Sequence, residues 1–255
     1  MKKILLIAFV VVIILIAAAV QNNSNPRIII SKLSTAGQMR PGEYVYRIYL
    51  FGFLPIGKAV VGLESQETFQ GESVYHMTAN ASSAELFSSW FKTTASIESY
   101  IGKMKLNPLL FRQKITQTGK PDTVKEAVYN QKEGVMTTAK GSRSIPADTQ
   151  DPLSLVLRLK KMDFNKVQGF EFNLNNNQKN YTVKGNIQRS NIFVDKKTYD
   201  LFSVKADISR RDKNPYHKSQ LTILFLPAQE NIPLLIKVFA SGVFVNARLV
   251  EIRYQ

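Results

Sequence analysis

The small number of histidines and the absence of cysteine limit the chemistry that this chain can perform. His76 and His217 are the only histidines among 255 residues, and cysteine is absent. General-base and nucleophilic catalysis near neutral pH most often use His or Cys, and neither histidine has a neighbouring motif that would activate it. Two histidines cannot build a three-histidine zinc centre, and a chain without cysteine has no thiolate ligand and no disulfide. We therefore predict two structural histidines and neither a metal nor any other cofactor.

Common catalytic motifs are also missing from the sequence. It contains no Gly-x-Ser-x-Gly elbow, no His-Glu-x-x-His pair and no phosphate-binding loop. A carboxylate pair of the kind that glycosidases use stays possible, because two strands can bring distant Asp and Glu side chains together. No catalytic residue is predicted, and a hydrolase of a cell-wall polymer or glycan with strand-borne carboxylates remains an alternative.

The segment most suited to binding runs from Leu50 to Gly57. Its apolar residues are too continuous for a half-solvated strand, and Pro55 has no amide hydrogen for a central ladder position. One interpretation is a wide turn that exposes Phe53 and Leu54, and the other is that these side chains fold back into the core.

In the first interpretation this segment and the aromatic segment 82–92 line a groove for an acyl chain or another apolar group, with lysines near an anionic headgroup. The predicted groove residues are Phe51, Phe53, Leu54, Phe87, Trp90, Phe91, Lys58 and Lys92.

Alternating apolar residues predict β-strands over most of the chain. In residues 44–50, apolar side chains occupy every second position, as a strand with one buried face requires, and the pattern recurs in residues 202–208 and 221–225. Clusters of Gly, Pro, Asn and Asp, such as residues 118–122, separate these runs. Tight reversals of this kind join antiparallel strands, because parallel neighbours need a long crossover. We expect about twelve strands, enough for a large curved sheet or a half-open β-barrel.

One or two short helices interrupt the strand pattern. Asp151 and Pro152 suit the cap and first turn of a helix, residues 153–157 hold apolar side chains at helical spacing, and cations gather in residues 158–161 near its negative end. Residues 82–92 indicate a helical turn or an apolar loop.

The N-terminus has the composition of an export segment. Lys2 and Lys3 precede an uninterrupted apolar run from Ile4 to Val20. The small side chains of Ala17 and Ala19 suit signal-peptide cleavage after Ala19. The run is also close to the shortest helix that crosses a bilayer core, about 17 residues, so an uncleaved anchor is equally possible.

These features divide the chain into three parts. We predict a signal peptide or membrane anchor over residues 1–20, a tether over 21–41 and a single antiparallel β domain over 42–255. The domain is expected to be periplasmic or otherwise extracytoplasmic, either secreted or anchored to the inner membrane. If the apolar segment is retained, residues 4–20 contact the membrane.

The formal net charge of +15 indicates an anionic partner. An exported domain meets lipid headgroups and acidic envelope polymers rather than nucleic acid. The cations are also scattered, and clusters such as residues 158–161 are too short to form a nucleic-acid-binding arm. We therefore expect a lipid, an envelope polymer or an envelope protein as partner, and no nucleic acid.

Several motifs, taken in their order along the chain, resemble a known family. They are Gly42-Glu43-Tyr44, Pro55-Ile56-Gly57-Lys58-Ala59, Glu98-Ser99-Tyr100, Tyr129-Asn130-Gln131, Gln150-Asp151-Pro152-Leu153-Ser154, Ile232-Pro233 and Arg253-Tyr254. Over residues 42 to 254 the sequence resembles domain of unknown function 3108 (DUF3108), a group of uncharacterised exported bacterial proteins. The resemblance implies an exported, mainly antiparallel β domain and supplies no catalytic residues.

The sequence thus predicts an all-β, mainly antiparallel fold with one or two short helices, preceded by an N-terminal apolar export or anchor helix. The leading function is non-enzymatic binding in the cell envelope, of a lipid-like or other envelope component or of a protein partner. The alternatives are the hydrolase and a structural scaffold that acts through exposed sheet edges.

Overall fold

The structure is a computed structural model that describes residues 41–84, 92–194, 196–211, 219–227 and 231–254. The strands in these ranges are β1 Pro41–Leu50, β2 Leu54–Phe69, β3 Glu72–Ser83, β4 Thr93–Gly102, β5 Pro108–Gln117, β6 Lys120–Asn130, β7 Val135–Thr138, β8 Gly141–Ser144, β9 Gly169–Asn176, β10 Lys179–Val194, β11 Lys197–Arg210, β12 Ser219–Leu226, β13 Ile232–Ala240 and β14 Val243–Tyr254, and the helix is α1 Pro152–Lys160. The predicted export segment and nearly all of the predicted tether lie outside the described residues. Within the described ranges, no helix has the length and apolar character needed to cross a membrane.

All fourteen strands belong to one antiparallel sheet, in which almost every strand pairs with its neighbour in sequence. The sequence neighbours that do not pair are β8 and β9, which form the two edges of the sheet. Besides β2, β1 also pairs with β14, and this pairing brings the two ends of the described chain together in the middle of the sheet. Tight turns enforce the sequential pairing. At the β9–β10 turn, Asn177 and Gln178 have φ values of 52° and 62°, the left-handed geometry that two-residue hairpins favour. The predicted all-β antiparallel class is confirmed, with fourteen strands where about twelve were expected.

The sheet stays open between its two edge strands, β8 and β9. The connection that follows β8 lies along the edge of β9, where the Gln150 amide donates to Asn173 O and the Asn175 amide donates to Gln150 O, both at 2.7 Å. The side chain of Asn180 donates to Ser144 O at 3.1 Å, across the same gap. The open edges are therefore joined by a connecting segment instead of a strand ladder, which matches the half-open alternative in the sequence prediction.

The core lies on the inner face of the curved sheet. Every second residue of the central strands points inward, and side chains such as Ile97, Val204 and Ile223 have at most 1% of their surface exposed. Tyr46 reaches through this core and donates its hydroxyl to Pro233 O at 2.9 Å. Because every second residue of these strands is buried on the inner face, the residues between them lie on the outer face.

Helix α1 fills part of the space inside the sheet. The side chains of Leu153, Leu155, Leu157 and Leu159 are all buried, so apolar contacts surround more of the helix than an amphipathic surface helix would bury. At its C-terminal end, the Asn231 amide donates to two backbone carbonyls of residues 160–162. The predicted helix is confirmed, and it packs within the curve of the sheet.

The N-cap of α1 is a buried carboxylate. Asp151 accepts hydrogen bonds from the amides of Leu153 and Ser154 at 2.8 and 2.7 Å and from the hydroxyl of Ser99 at 2.5 Å. In return, the Asp151 amide donates to the Ser154 hydroxyl at 2.8 Å, which completes a capping box. Burial raises the pKa of Asp151 to about 6, although all of these hydrogen bonds to the carboxylate oppose that shift.

The raised pKa of Asp151 predicts a pH-dependent stability. A carboxyl group with a folded-state pKa above its unfolded value, here 3.8, holds its proton better in the folded protein. Its stabilising contribution is therefore complete below about pH 4 and is lost as the pH rises through about 6. Asp151→Asn keeps a capping oxygen but cannot ionise. In urea unfolding of the full-length chain, we expect the wild-type free energy of unfolding to fall relative to D151N by up to about 3 kcal/mol between pH 4 and pH 7.

The matched control is Asp148→Asn, three residues earlier on an exposed side chain. Its pH curve should run parallel to that of the wild type. Parallel curves for the wild type and D151N would show that the Asp151 carboxyl is not destabilised by burial.

Candidate functional site

A depression of about 570 Å³ lies on the outer face of β2–β5. Most of the side chains that line it are polar or cationic, and most of them point away from the core. They are Lys58, Val60, Asn80, Ser82, Thr94, Ser96, Lys114 and Thr116, with Ala81 and Ala95 between them. The lining offers hydroxyl, amide and ammonium groups, and contains no carboxylate.

The strand register arranges these side chains in two rows across the sheet. The first row is Lys58, Ser82, Thr94 and Thr116, and the second is Val60, Asn80, Ser96 and Lys114. Cross-strand neighbours of this kind have Cβ atoms about 5 Å apart, so adjacent hydroxyls can contact one ligand together. Short Ser, Thr and Asn side chains in the middle of the rows leave the space of the depression open.

The two lysines of the depression differ in their partners. The Lys114 ammonium forms an ion pair with Asp122 at 2.8 Å. Lys58 is exposed and forms no ion pair with a carboxylate in the described ranges. Glu251 is close enough to feel its charge: the hydrogen bond from Arg253 and, more weakly, the charges of Arg253 and Lys58 hold the pKa of Glu251 below its usual range. Lys58 is thus the cation best placed for a ligand.

Gly57 allows β2 and β3 to approach closely beside Lys58. A Cβ atom at this position would collide with the carbonyl oxygen of Ser82. The same region of β2 contains an irregular register against β1, because Pro55 cannot donate a ladder hydrogen bond. These two features place Lys58 at the rim of the depression.

The turn between β1 and β2 exposes two phenylalanines. Phe51 has 49% and Phe53 has 75% of its surface exposed. Phe51 adopts a φ of 51°, which is uncommon for a bulky residue. Its amide donates to Phe244 O at 2.8 Å, and the Arg248 side chain donates to Gly52 O at 2.5 Å. Two hydrogen bonds with β14 therefore hold the turn with its aromatic rings in solvent.

The predicted groove residues fall into three groups. Phe51, Phe53 and Lys92 are exposed, Leu54 is half-buried, and Lys58 belongs to the depression. The other three predicted residues, Phe87, Trp90 and Phe91, lie outside the described residues. The described residues thus provide a polar depression and a separate aromatic turn, and the single apolar groove stays a prediction.

Sequence reasoning did not single out the hydroxyl and amide side chains of the depression. Their signal was present, because Asn80, Ser82, Thr94, Ser96 and Thr116 occupy the outward positions of three strands in which most inward positions are apolar. The pattern becomes a site only when the register aligns the three strands. A single sequence does not fix that register.

Two acidic residues approach each other elsewhere on the outer face. Glu98 and Glu126 both contact Arg112, at 3.3 and 2.6 Å. The guanidinium occupies the space in which a sugar ring would have to lie between two catalytic carboxylates. His76 lies 3.2 Å from Glu98 and stacks on Tyr100, an arrangement that fits a structural role.

The described ranges contain no group of three or more His, Asp or Glu side chains that could hold a metal ion. His217 lies outside the described residues.

Comparison with solved structures identifies a similar fold. A crystal structure of a beta-barrel-like protein of domain of unknown function DUF1849, from Brucella abortus, aligns with a TM-score of 0.59 and 11% identity, over 85% of this chain and 98% of that chain. At this identity the likeness concerns the fold alone. A structure from Parabacteroides distasonis, described as a lipoprotein, aligns with a TM-score of 0.33 and 12% identity, over 85% of this chain and 96% of that one.

Comparison with curated proteins gave no match. The model of a family of unknown function, DUF3108, matches residues 45–245, which extend from β1 into β14. The match confirms the resemblance seen in the ordered motifs. This chain belongs to the DUF3108 family of proteins of unknown function.

Proposed function

We propose that this domain is a non-enzymatic binding protein of the bacterial cell envelope, and that its ligand is an amphiphile with an anionic headgroup. The observation that carries the proposal is the exposed turn of Phe51 and Phe53 at the start of β2, the strand that also carries Lys58 of the depression. The apolar part of the ligand contacts the aromatic turn, and the headgroup occupies the depression.

The aromatic turn supports the apolar contact. A bulky residue with a positive φ costs on the order of 1 kcal/mol, and the exposed ring of Phe51 gains little packing in return. Two exposed phenylalanines on one turn present an apolar surface that a free, soluble domain has no need to display. An acyl chain that covers both rings removes this surface from water.

The depression supports an anionic headgroup. Its lining donates hydrogen bonds from ammonium, hydroxyl and amide groups, and Lys58 supplies a charge without an ion-paired carboxylate in the described ranges. From Phe53 to Lys58 the strand rises about 16 Å at roughly 3.3 Å per residue. This span is comparable to one leaflet of a bilayer core, about 15 Å. One lipid-like molecule can therefore reach both features.

The envelope location rests on the composition of residues 1–20 and on the net charge of +15. Anionic headgroups are abundant at membrane surfaces and attract a basic domain.

The alternatives receive less support from the described residues. The hydrolase alternative needs two carboxylates in a cleft, and Glu98 and Glu126 are bridged by Arg112 on an exposed surface. The scaffold alternative needs accessible sheet edges. The edge of β9 already bonds to the backbone of Gln150, and β8 offers four residues.

The first test removes the aromatic turn. We expect the double variant Phe51→Ser, Phe53→Ser to bind dihexanoyl phosphatidylglycerol at least about tenfold more weakly, because burial of one phenylalanine is worth about 1.5–3 kcal/mol. Isothermal titration calorimetry of the full-length chain in a neutral detergent, below the micelle concentration of the lipid, measures this affinity.

Phe193→Ser is the matched control for the aromatic turn. Phe193 has 67% of its surface exposed and lies near the end of β10, which is next to the edge strand β9 and is separated from β1 by four strands. Its loss should leave the affinity unchanged. Equal affinities for the wild type and the Phe51, Phe53 double variant would rule out the turn as the apolar contact.

The second test concerns the headgroup. Lys58→Glu should remove the preference of the wild type for dihexanoyl phosphatidylglycerol over dihexanoyl phosphatidylcholine, which has the same acyl chains, because it replaces an attractive charge with a repulsive one. Lys184→Glu makes the same charge change on an exposed side chain of β10 and should keep the preference. A wild-type protein that binds both lipids equally would contradict the anionic headgroup.

A further inference from the structure

The inner face of the sheet carries a second group of cations near the turn between β9 and β10. Lys125 alternates along β6 with the buried core residues Ala127 and Tyr129, so its side chain lies on the inner face. Its ammonium group contacts Oδ1 of Asn177, in the β9–β10 turn. Lys140, in the β7–β8 turn, and Lys179, the first residue of β10, complete the group.

These three lysines lie close together without a balancing negative charge. Burial, and then the charges of Lys140 and Lys179, hold the pKa of Lys125 below its usual range. Within the described ranges, no carboxylate forms an ion pair with any of the three. Lys125 is half-buried, whereas Lys140 and Lys179 are exposed, so the charges of the two exposed lysines repel that of Lys125.

Buried amides lie beside this cluster and lack partners. Gln113 pairs directly with Lys125 across β5 and β6, on the same face, and only 2% of its surface is exposed. Its Nε2 atom is buried without a hydrogen-bond partner. Gln117, four positions further along β5 and 5% exposed, also has an unpartnered Nε2. An unsatisfied buried donor costs about 1–3 kcal/mol, so each of these amides calls for an explanation.

The unsatisfied groups share one chemistry, since ammonium nitrogens and amide nitrogens all donate hydrogen bonds. The complementary ligand is a group with several acceptor oxygens and more than one negative charge. A phosphate group meets both conditions.

We propose that Lys125, Lys140, Lys179 and Gln113 form a binding site for a phosphate group on the inner face of the sheet, at the open seam between β8 and β9. This site is separate from the one under Proposed function, because Lys125 and Gln113 lie on the inner face of the sheet and the depression lies on the outer face. The phosphate group belongs either to free inorganic phosphate or to a phosphorylated envelope molecule.

The test is titration of the full-length chain, in a neutral detergent and at constant ionic strength, with inorganic phosphate and with glycerol phosphate. Lys125→Met removes the charge but keeps an unbranched apolar stem. We expect K125M to lower the affinity for both ligands about tenfold or more, because hydrogen bonds to charged groups are among the stronger ones. Gln113→Leu, which removes the donor and keeps the side-chain bulk, should lower it several-fold.

Lys184→Met is the control, since Lys184 is an exposed lysine of β10 that pairs with Glu171. Its affinity for phosphate should equal that of the wild type. Thermal unfolding separates binding from folding. Phosphate should raise the midpoint of the wild type and of K184M but not that of K125M, whereas without phosphate K125M should be at least as stable as the wild type.

Equal phosphate affinities for the wild type and K125M, or a chloride effect as large as that of phosphate, would overturn the proposal. Binding of glycerol phosphate but not of inorganic phosphate would assign the site to a phosphorylated molecule. The double variant at Phe51 and Phe53 should keep phosphate binding. The experiments can therefore exclude the inner site without excluding the outer site, and the reverse.

Discussion

One buried segment, Gln150–Asp151, connects the parts of this fold that the sheet alone cannot join. The backbone of Gln150 bonds to the edge of β9, and its side chain donates to Asn107 and to Asp148 O. The next residue caps α1 and accepts a hydrogen bond from Ser99, in the middle of β4. A fourteen-stranded sheet with two open edges exposes unpaired backbone groups and an unfilled interior. This segment covers part of the β9 edge with its own backbone, and it begins the helix that packs in the interior.

The two proposed ligand sites lie on different surfaces, one on the outer face of the sheet and one at the open seam between β8 and β9. Consecutive residues of β5 show how period-two geometry separates these two surfaces. Gln113 points to the inner face beside Lys125, and Lys114 points to the outer depression and pairs with Asp122. The same strand thus serves two sites of different chemistry, and a change at one residue need not disturb the other.

The sequence predicts the parts of the structure that depend on local physics. Alternation at residues 44–50 and 202–208 predicts strands with one buried face, and the Asp151-Pro152 pair predicts the start of α1, because both signals lie within a few residues. The sequence also allowed Lys58 and the exposed Phe53 to be predicted as candidate binding residues. The row of Ser82, Thr94 and Thr116 was not, since it depends on the alignment of strands that are distant in sequence. The contact between Lys125 and Asn177 likewise depends on which strands form the seam.

The ammonium groups of three lysines of this domain, Lys114 exposed, Lys160 buried and Lys125 half-buried, differ in their surroundings. Lys114 has a carboxylate at 2.8 Å, and Lys160, at 4% exposure, lies over the ring of Tyr44 at 5.0 Å. Lys125 contacts the amide oxygen of Asn177, feels the charges of two further cations, and forms no ion pair with a carboxylate in the described ranges. A charge that is partly removed from water without compensation destabilises the fold, and an apolar side chain of similar length would fit a position between core residues better. Structural demands therefore do not account for Lys125. An anion supplied from outside restores the balance that the other two lysines find within the chain.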